Sequence, residues 1–382
     1  HQALTAQTGA SGTVGNTAVG YQSGLAINTG KYNTLVGYQS GIAVTDSAGS
    51  TVLGYQALLT EDSADYSVAI GAFALNKQNA GSSYSHNVGI GVNAGYYNVT
   101  GTANTYIGSG AGTGASNESN SNNTAVGKDA LLSITDGVAN TVMGVAAGDA
   151  MTSADYNTFI GYYAGSTTVD ADKCVAIGGQ AMEAGNATDA ADGTVAIGWN
   201  AGTAITASTN SRENTLIGHN AGASMTIGDG SVAVGAFALD AEVAGNSSVA
   251  IGYEALTAQT SAGDTDIHNV AVGFKAGTAV TSGVKNTIIG SEAGDALVDG
   301  YANVLIGFDA AGASTSIDHA VIIGYSAASD SNIAGTTGDG TIAIGYHSLK
   351  AMSTGSFNLA VGTNAGDAIT TGSYNIAIGD SA

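Results

Sequence analysis

Residues 16–24 read NTAVGYQSG and residues 33–41 read NTLVGYQSG. A near-copy at an offset of 17 asks whether the chain is an array, and internal period outranks every other sequence signal when it exists. With Gly20 as anchor, equivalent glycines recur at Gly37, Gly54, Gly71, Gly91, Gly108, Gly127, Gly144, Gly161, Gly178, Gly198, Gly218, Gly235, Gly252, Gly273, Gly290, Gly307, Gly324, Gly345, Gly362 and Gly379. Of the 20 spacings, 14 are 17 residues and six are 19 to 21, so residues are added to the unit and never removed. That is the mark of a minimum circuit with one loop that can swell.

The columns around the anchor carry the fold. The residue before it is Ile, Val, Leu or Met in all 21 repeats, and the one before that is apolar or Gly, most often Ala. Four before it stands Asn in 13 repeats, with Ser or Thr in most others and Cys174 and Ala320 as exceptions; three after it stands Ala or Ser throughout. These columns predict a short strand (NTLV, SVAI) that turns at the glycine into a second short strand (YQSG, AFAL). A unit of that kind is one coil of a parallel β-solenoid. Stacked at the strand spacing, 21 coils would span on the order of 100 Å. A corner repeated in every coil needs positive φ or backbone pressed on backbone, which glycine tolerates. The small residue three later fits the inside of that corner. Asn at the strand start is expected to form an amide ladder from coil to coil.

Composition agrees. The 382 residues hold 58 Gly and no Pro, which excludes collagen, and 44% hydrophobic with 10% charged residues is a burying composition rather than a disordered one. The whole of 1–382 therefore reads as one repeat array with no second domain. A net charge of −22 disfavours nucleic acid, and no apolar run reaches the ~20 residues of a membrane span. The chain starts at His1 without a visible signal peptide and is read as a processed or excised segment.

Strand residues alternate in direction. In TVAIG (194–198), Val195 and Ile197 face one way and Ala196 the other, and both sides are apolar in nearly every repeat. The Val/Ile side is assigned here to the coil interior, as with Val19. The other side is mostly Ala, as Ala18, but includes Leu35, Tyr106, Phe159 and Ile322. It is expected to need a cover from other chains, which predicts a parallel homotrimer. A wider single-chain solenoid with both faces internal is the alternative.

NNTAVG (122–127), TVAIG (194–198) and SSVAIGYEAL (247–256) resemble the head repeats of YadA-type trimeric autotransporter adhesins. YNTLVGYQSG (32–41) and YNTFIGYYAG (156–165) also resemble repeat arrays of bacteriophage tail fibres. The likeness covers essentially the whole chain. It implies a left-handed parallel β-roll that associates as a trimer, in an extracellular fibre on a virion or bacterial cell surface. The longer repeat and the Tyr-Gln after the glycine depart from the adhesin pattern.

The chemical readings are weak beside this. IGSGAGTG (107–114) looks like a phosphate loop, but Gly108 is an anchor, Ala111 a corner residue, and no helix is expected to follow. His86, His268 and His319 sit five before an anchor, in different coils, in a column that also holds Lys173, Glu213, Gly15 and Tyr32, so solvent exposure is expected rather than a metal site. Acidic residues gather in the swelling loops: Glu61, Asp62 and Asp65; Asp170 and Asp172; Asp189 and Asp192; Asp264 and Asp266. They read as a solvated rim with at most occasional calcium. Cys174 stands in the Asn column as a small buried residue. The Thr three before the anchor is read as part of the buried strand, against ice binding. Aromatics follow the anchor at Tyr21, Tyr38, Tyr55, Tyr162 and Trp199. They read first as corner packing and second as contacts for a surface glycan.

The sequence thus predicts no catalytic, cofactor-binding or metal residue and no enzyme. It predicts a structural fibre segment that mediates attachment to a host cell or surface through a glycan or protein receptor, without nucleic-acid binding or membrane insertion. A phage tail-fibre shaft leads; a trimeric adhesin head is the alternative, and a polysaccharide-acting solenoid enzyme is remote.

Overall fold

The structure, a computed structural model, describes all residues except 1, 9–10, 64, 82–83, 116–117, 184–190, 207–211, 262, 264 and 331–338. The chain is an all-β parallel β-solenoid and divides into two compact units, His1–Asp189 and Ala190–Ala382. In the first, ten three-residue strands from Thr17–Val19 to Val175–Ile177 pair in parallel, each with the next, in perfect register. In the second, eleven such strands from Val195–Ile197 to Ile376–Ile378 do the same, and a two-residue pair, Gly245–Asn246 with Thr265–Asp266, sits beside them. These strands match the sequence repeats one for one.

Two expectations need correction. The first is the second strand. YQSG and its equivalents are successive turns, because Gln22 (φ 54°) and Gly24 (φ 57°) both hold left-handed backbone that a strand cannot contain. These turns still tie coil to coil: Gln39 N–H donates to the Tyr21 carbonyl at 2.9 Å, and Gly24 N–H to that of Ser40 at 3.0 Å.

The second is the direction of the strand faces, which is reversed. Leu35, Val52, Tyr106, Phe159 and Ile322 are fully buried within one chain, whereas Val19 is 58% and Leu53 47% exposed. Ala196 and its column point into the coil; Val195, Ile197 and their columns point out and are only partly buried. The interior is closed without a second chain: in several coils the residue four after the anchor fills what the strand's middle residue leaves, and where both are small, as Ala18 and Gly24, a neighbouring coil's side chain such as Leu35 reaches in. Ala69 faces Leu75 and Ala125 faces Leu131, while Leu35 is matched by Gly41 and Phe159 by Gly165. A Cβ on Gly41 would stand 2.9 Å from Leu35, and one on Gly165 2.5 Å from Phe159. The third interior column, seven after the anchor, holds Ile27, Val44, Ile134 and Met151. The Thr column, expected in the buried strand, also faces outward, as at Thr34 and Thr51.

Candidate binding surface

The anchor glycines do what the spacing implies. Gly37 has φ 139°, and a Cβ on Gly71 (φ 129°) would stand 2.5 Å from the Gly91 carbonyl oxygen, so positive φ and close backbone approach coincide. The corner residues after them, Ser23, Ala57 and Ala111 among them, are fully buried.

Directly outside this corner lies the aromatic column. In the first unit Tyr21, Tyr38 and Tyr55, each a little under half exposed, stack face to face at 5.3 Å with interplanar angles of 19° and 12°. Beside them runs an amide ladder: Gln56 Nε2 donates to Gln39 Oε1 at 2.8 Å, and Gln39 Nε2 to Gln22 Oε1 at 2.9 Å. In the second unit Phe308, Tyr325 and Tyr346 stack likewise at 5.1 and 5.6 Å. Face-to-face stacking covers the faces a sugar would use and leaves edges and hydroxyls to solvent. Tyr162 meets Tyr163 edge-on at 4.4 Å, and Trp199, 48% exposed, has no ring neighbour among the described residues. The Tyr-Gln dipeptide is thus structural in Tyr21, Tyr38 and Tyr55, and open rings occur where the column is irregular.

The polar columns are consumed by backbone. Asn33 takes the Ser50 N–H on Oδ1 at 2.8 Å and donates from Nδ2 to the Ser47 carbonyl at 2.7 Å. Direct amide-to-amide steps also occur, as from Asn157 to Asn140 at 3.1 Å and Asn303 to Asn286 at 2.9 Å. Cys174 ends one such run, buried, with its N–H on Asn157 Oδ1 at 2.8 Å. The loop aspartates do similar work. Asp65 accepts the Ala48 N–H at 2.5 Å, Asp155 that of Val138 at 2.6 Å, and Asp172 that of Asp155 at 2.7 Å.

The acidic rim therefore needs revision at Glu61, which is fully buried. It accepts from Ser63 N–H at 3.2 Å and Gln78 Nε2 at 3.0 Å. Glu242 repeats the arrangement with Gln259 Nε2 at 2.8 Å and the Ala244 and Gly245 N–H groups. Burial raises the Glu242 pKa, but Ser261, Gln259 and those amides outweigh it and hold the carboxyl below its ordinary value. Glu118 lacks such a shell: its Oε1 accepts from Ala115 N–H, its Oε2 is buried without a hydrogen-bond partner among the described residues, and burial pushes its pKa up to about 7. Asp170 bonds the Ser153 hydroxyl, Asp62 and Asp266 are exposed, Asp192 is part-exposed, and Asp189 and Asp264 lie outside the described residues. His86, His268 and His319 are exposed, as expected, His86 stacking on Tyr66 at 5.5 Å. No group of three or more His, Cys, Asp or Glu placed to hold a metal occurs among the described residues. In 107–114 Gly108 faces the Gly127 carbonyl while Gly110, Gly112 and Gly114 face the side chains of Asp129, Tyr106 and Glu118, so no phosphate cradle is formed.

No protein-family model matches this sequence, and no curated protein does either. Sequence reasoning missed the Gln22–Gln39–Gln56 ladder and the buried Glu–Gln pairs. Both were readable as columns, two and seven after the anchor, had those columns been followed for polar residues.

Proposed function

We propose that this chain is a structural segment of an extracellular fibre that self-associates as a parallel homotrimer and carries attachment to a host cell or surface. A phage tail-fibre shaft is the leading setting, on the resemblance of YNTLVGYQSG and YNTFIGYYAG to such arrays. The head of a trimeric adhesin is the second reading, favoured by SSVAIGYEAL. A polysaccharide-acting solenoid enzyme is the remote third reading.

One observation supports the association. The outward side of each unit's strand ladder is lined by Thr, Val, Ile, Leu and Met, and a single chain leaves it open: Leu53 is 47%, Met143 46%, Ile107 37% and Ile289 38% exposed. An apolar ribbon of this kind is what strand ladders bury against another layer, and like chains side by side cover it on every copy. The proposed contact is therefore the side of Val19, opposite to that first assigned from the sequence. The test is charge on that face. Leu53→Lys with Met143→Lys is expected to disperse the assembly to single chains by light scattering while the β circular-dichroism signal persists. An assembly that survives both lysines with its mass unchanged would rule this face out as the contact.

A further inference from the structure

We propose that a recess on the first unit, lined by Phe73, Asn93, Tyr96, Tyr97 and Thr113, is a subsite for one neutral pyranose ring. It deepens the attachment reading by naming a receptor class, and rests on that reading only for its biological use.

The recess has a volume of about 280 Å³. That lies just below the roughly 300–1,000 Å³ of drug-sized small-molecule sites, room for one ring. It forms where the aromatic stack changes character. Tyr21, Tyr38 and Tyr55 cover one another's faces, but Phe73 stands at 81° to Tyr55, Tyr96 at 62° to Phe73, and Tyr97 at 73° to Tyr96. These rings line the recess without the continuous face-to-face cover of the tyrosine stack, although Lys77 Nζ stands over one face of Tyr96, 6.0 Å from its centroid. An aromatic wall of this kind takes the C–H face of a sugar.

The polar group is equally distinct. Asn93 occupies the column of Gln22, Gln39 and Gln56, whose amides bond one another. Its column neighbours are Phe73 and Gly110, so no amide continues the ladder, and its side chain makes no hydrogen bond to the described residues. An amide with free donor and acceptor suits a pair of adjacent ring hydroxyls. The single proton of Thr113 Oγ1 reaches the Gly110 carbonyl at 2.9 Å or the Asn93 carbonyl at 3.1 Å, which holds this wall in place and leaves its lone pairs as acceptors. The chain's net charge of −22 favours neutral sugars over acidic ones.

The test is saturation-transfer NMR on the full chain with the methyl pyranosides of glucose, galactose, mannose and N-acetylglucosamine. Transfer to at least one is expected. Asn93→Gly, which keeps the left-handed backbone (φ 60°), and Tyr97→Leu, which keeps apolar bulk, should each weaken it by about tenfold. Tyr21→Leu should leave it unchanged, and circular dichroism should be unaltered in all three. No transfer from any of the four sugars, or transfer that survives either recess substitution, would overturn the proposal. Neither result depends on the association state, so a single-chain segment that binds a pyranoside would keep the recess and remove the trimer.

Discussion

Phe159 and Gly165 share the interior of one coil, and together they show how single residues are constrained here. Removing the ring should leave a cavity costing about 3–5 kcal/mol. Coils such as the one holding Ala69 and Leu75 show the complementary solution, with Leu75 kept at φ 48°. Phe159→Ala should therefore lower the melting temperature, and adding Gly165→Leu should restore part of it, less the ~1–2 kcal/mol of a left-handed leucine. Non-additivity in calorimetry checks the pair; strict additivity would separate the two sites. The anchors are less forgiving. Gly71→Ala places a Cβ against the Gly91 carbonyl at φ 129°, and a loss of at least about 2 kcal/mol is expected. Buried carboxyls add a pH dependence of either sign. Glu118 has its folded pKa raised from 4.5 to about 7, so the folded state binds the extra proton between those values. Stability from this group is full below about 4.5 and falls as pH rises through 7. Glu242, held below its ordinary value of 4.5, contributes above that pH and loses the contribution as pH falls further. Glu118→Gln should flatten the melting temperature between about pH 5 and 8 relative to the parent chain; an unchanged slope would show that Glu118 does not titrate there.

At the scale of one coil, the Asn column joins layers that three-residue strands alone would hold weakly. Asn140 takes the Asn157 N–H at 2.9 Å and gives Nδ2 to the Ala154 carbonyl at 2.7 Å, all buried. Asn140→Ala strands both groups and should cost about 2–6 kcal/mol at roughly 1–3 per buried partner, read as earlier amide exchange at Asn157. Protection unchanged at that amide would contradict the ladder's role. The coil was legible in outline from the sequence: the period, the glycine corner, the buried alanine and the Asn ladder all came from columns. The second strand was not, because the residue types of YQSG do not reveal that φ turns positive at Gln22 and again at Gly24. The facing of the main strand misled for another reason. Uniform Val/Ile looked like core, yet uniform β-branched side chains suit a flat outer sheet. The interior column, from Ala69 to Phe159, varies because the residue four after the anchor compensates in coils such as those of Leu75 and Gly165. Following those two columns together would have revealed the correct facing. The recess around Asn93 was out of reach, since ring angles and a broken amide ladder are set by packing between coils.

For the molecule as a whole, the outward apolar ribbon is the feature that a single chain does not resolve. Each unit closes its own interior, so self-association is not needed to bury the core. What it would cover is the columns of Val36, Leu53, Ile107 and Met143 in the first unit and of Ile251 and Ile289 in the second, which stand partly or largely open in one chain. A net charge of −22 sets repulsion against that apolar gain, so raised salt should tighten the assembly. Dissociation by salt would point to a polar contact instead. The most direct measurement is the mass of the purified segment by light scattering across a dilution series. A trimer predicts three times the 37.1 kDa of one chain, held on dilution. A mass of 37.1 kDa at every concentration would contradict it.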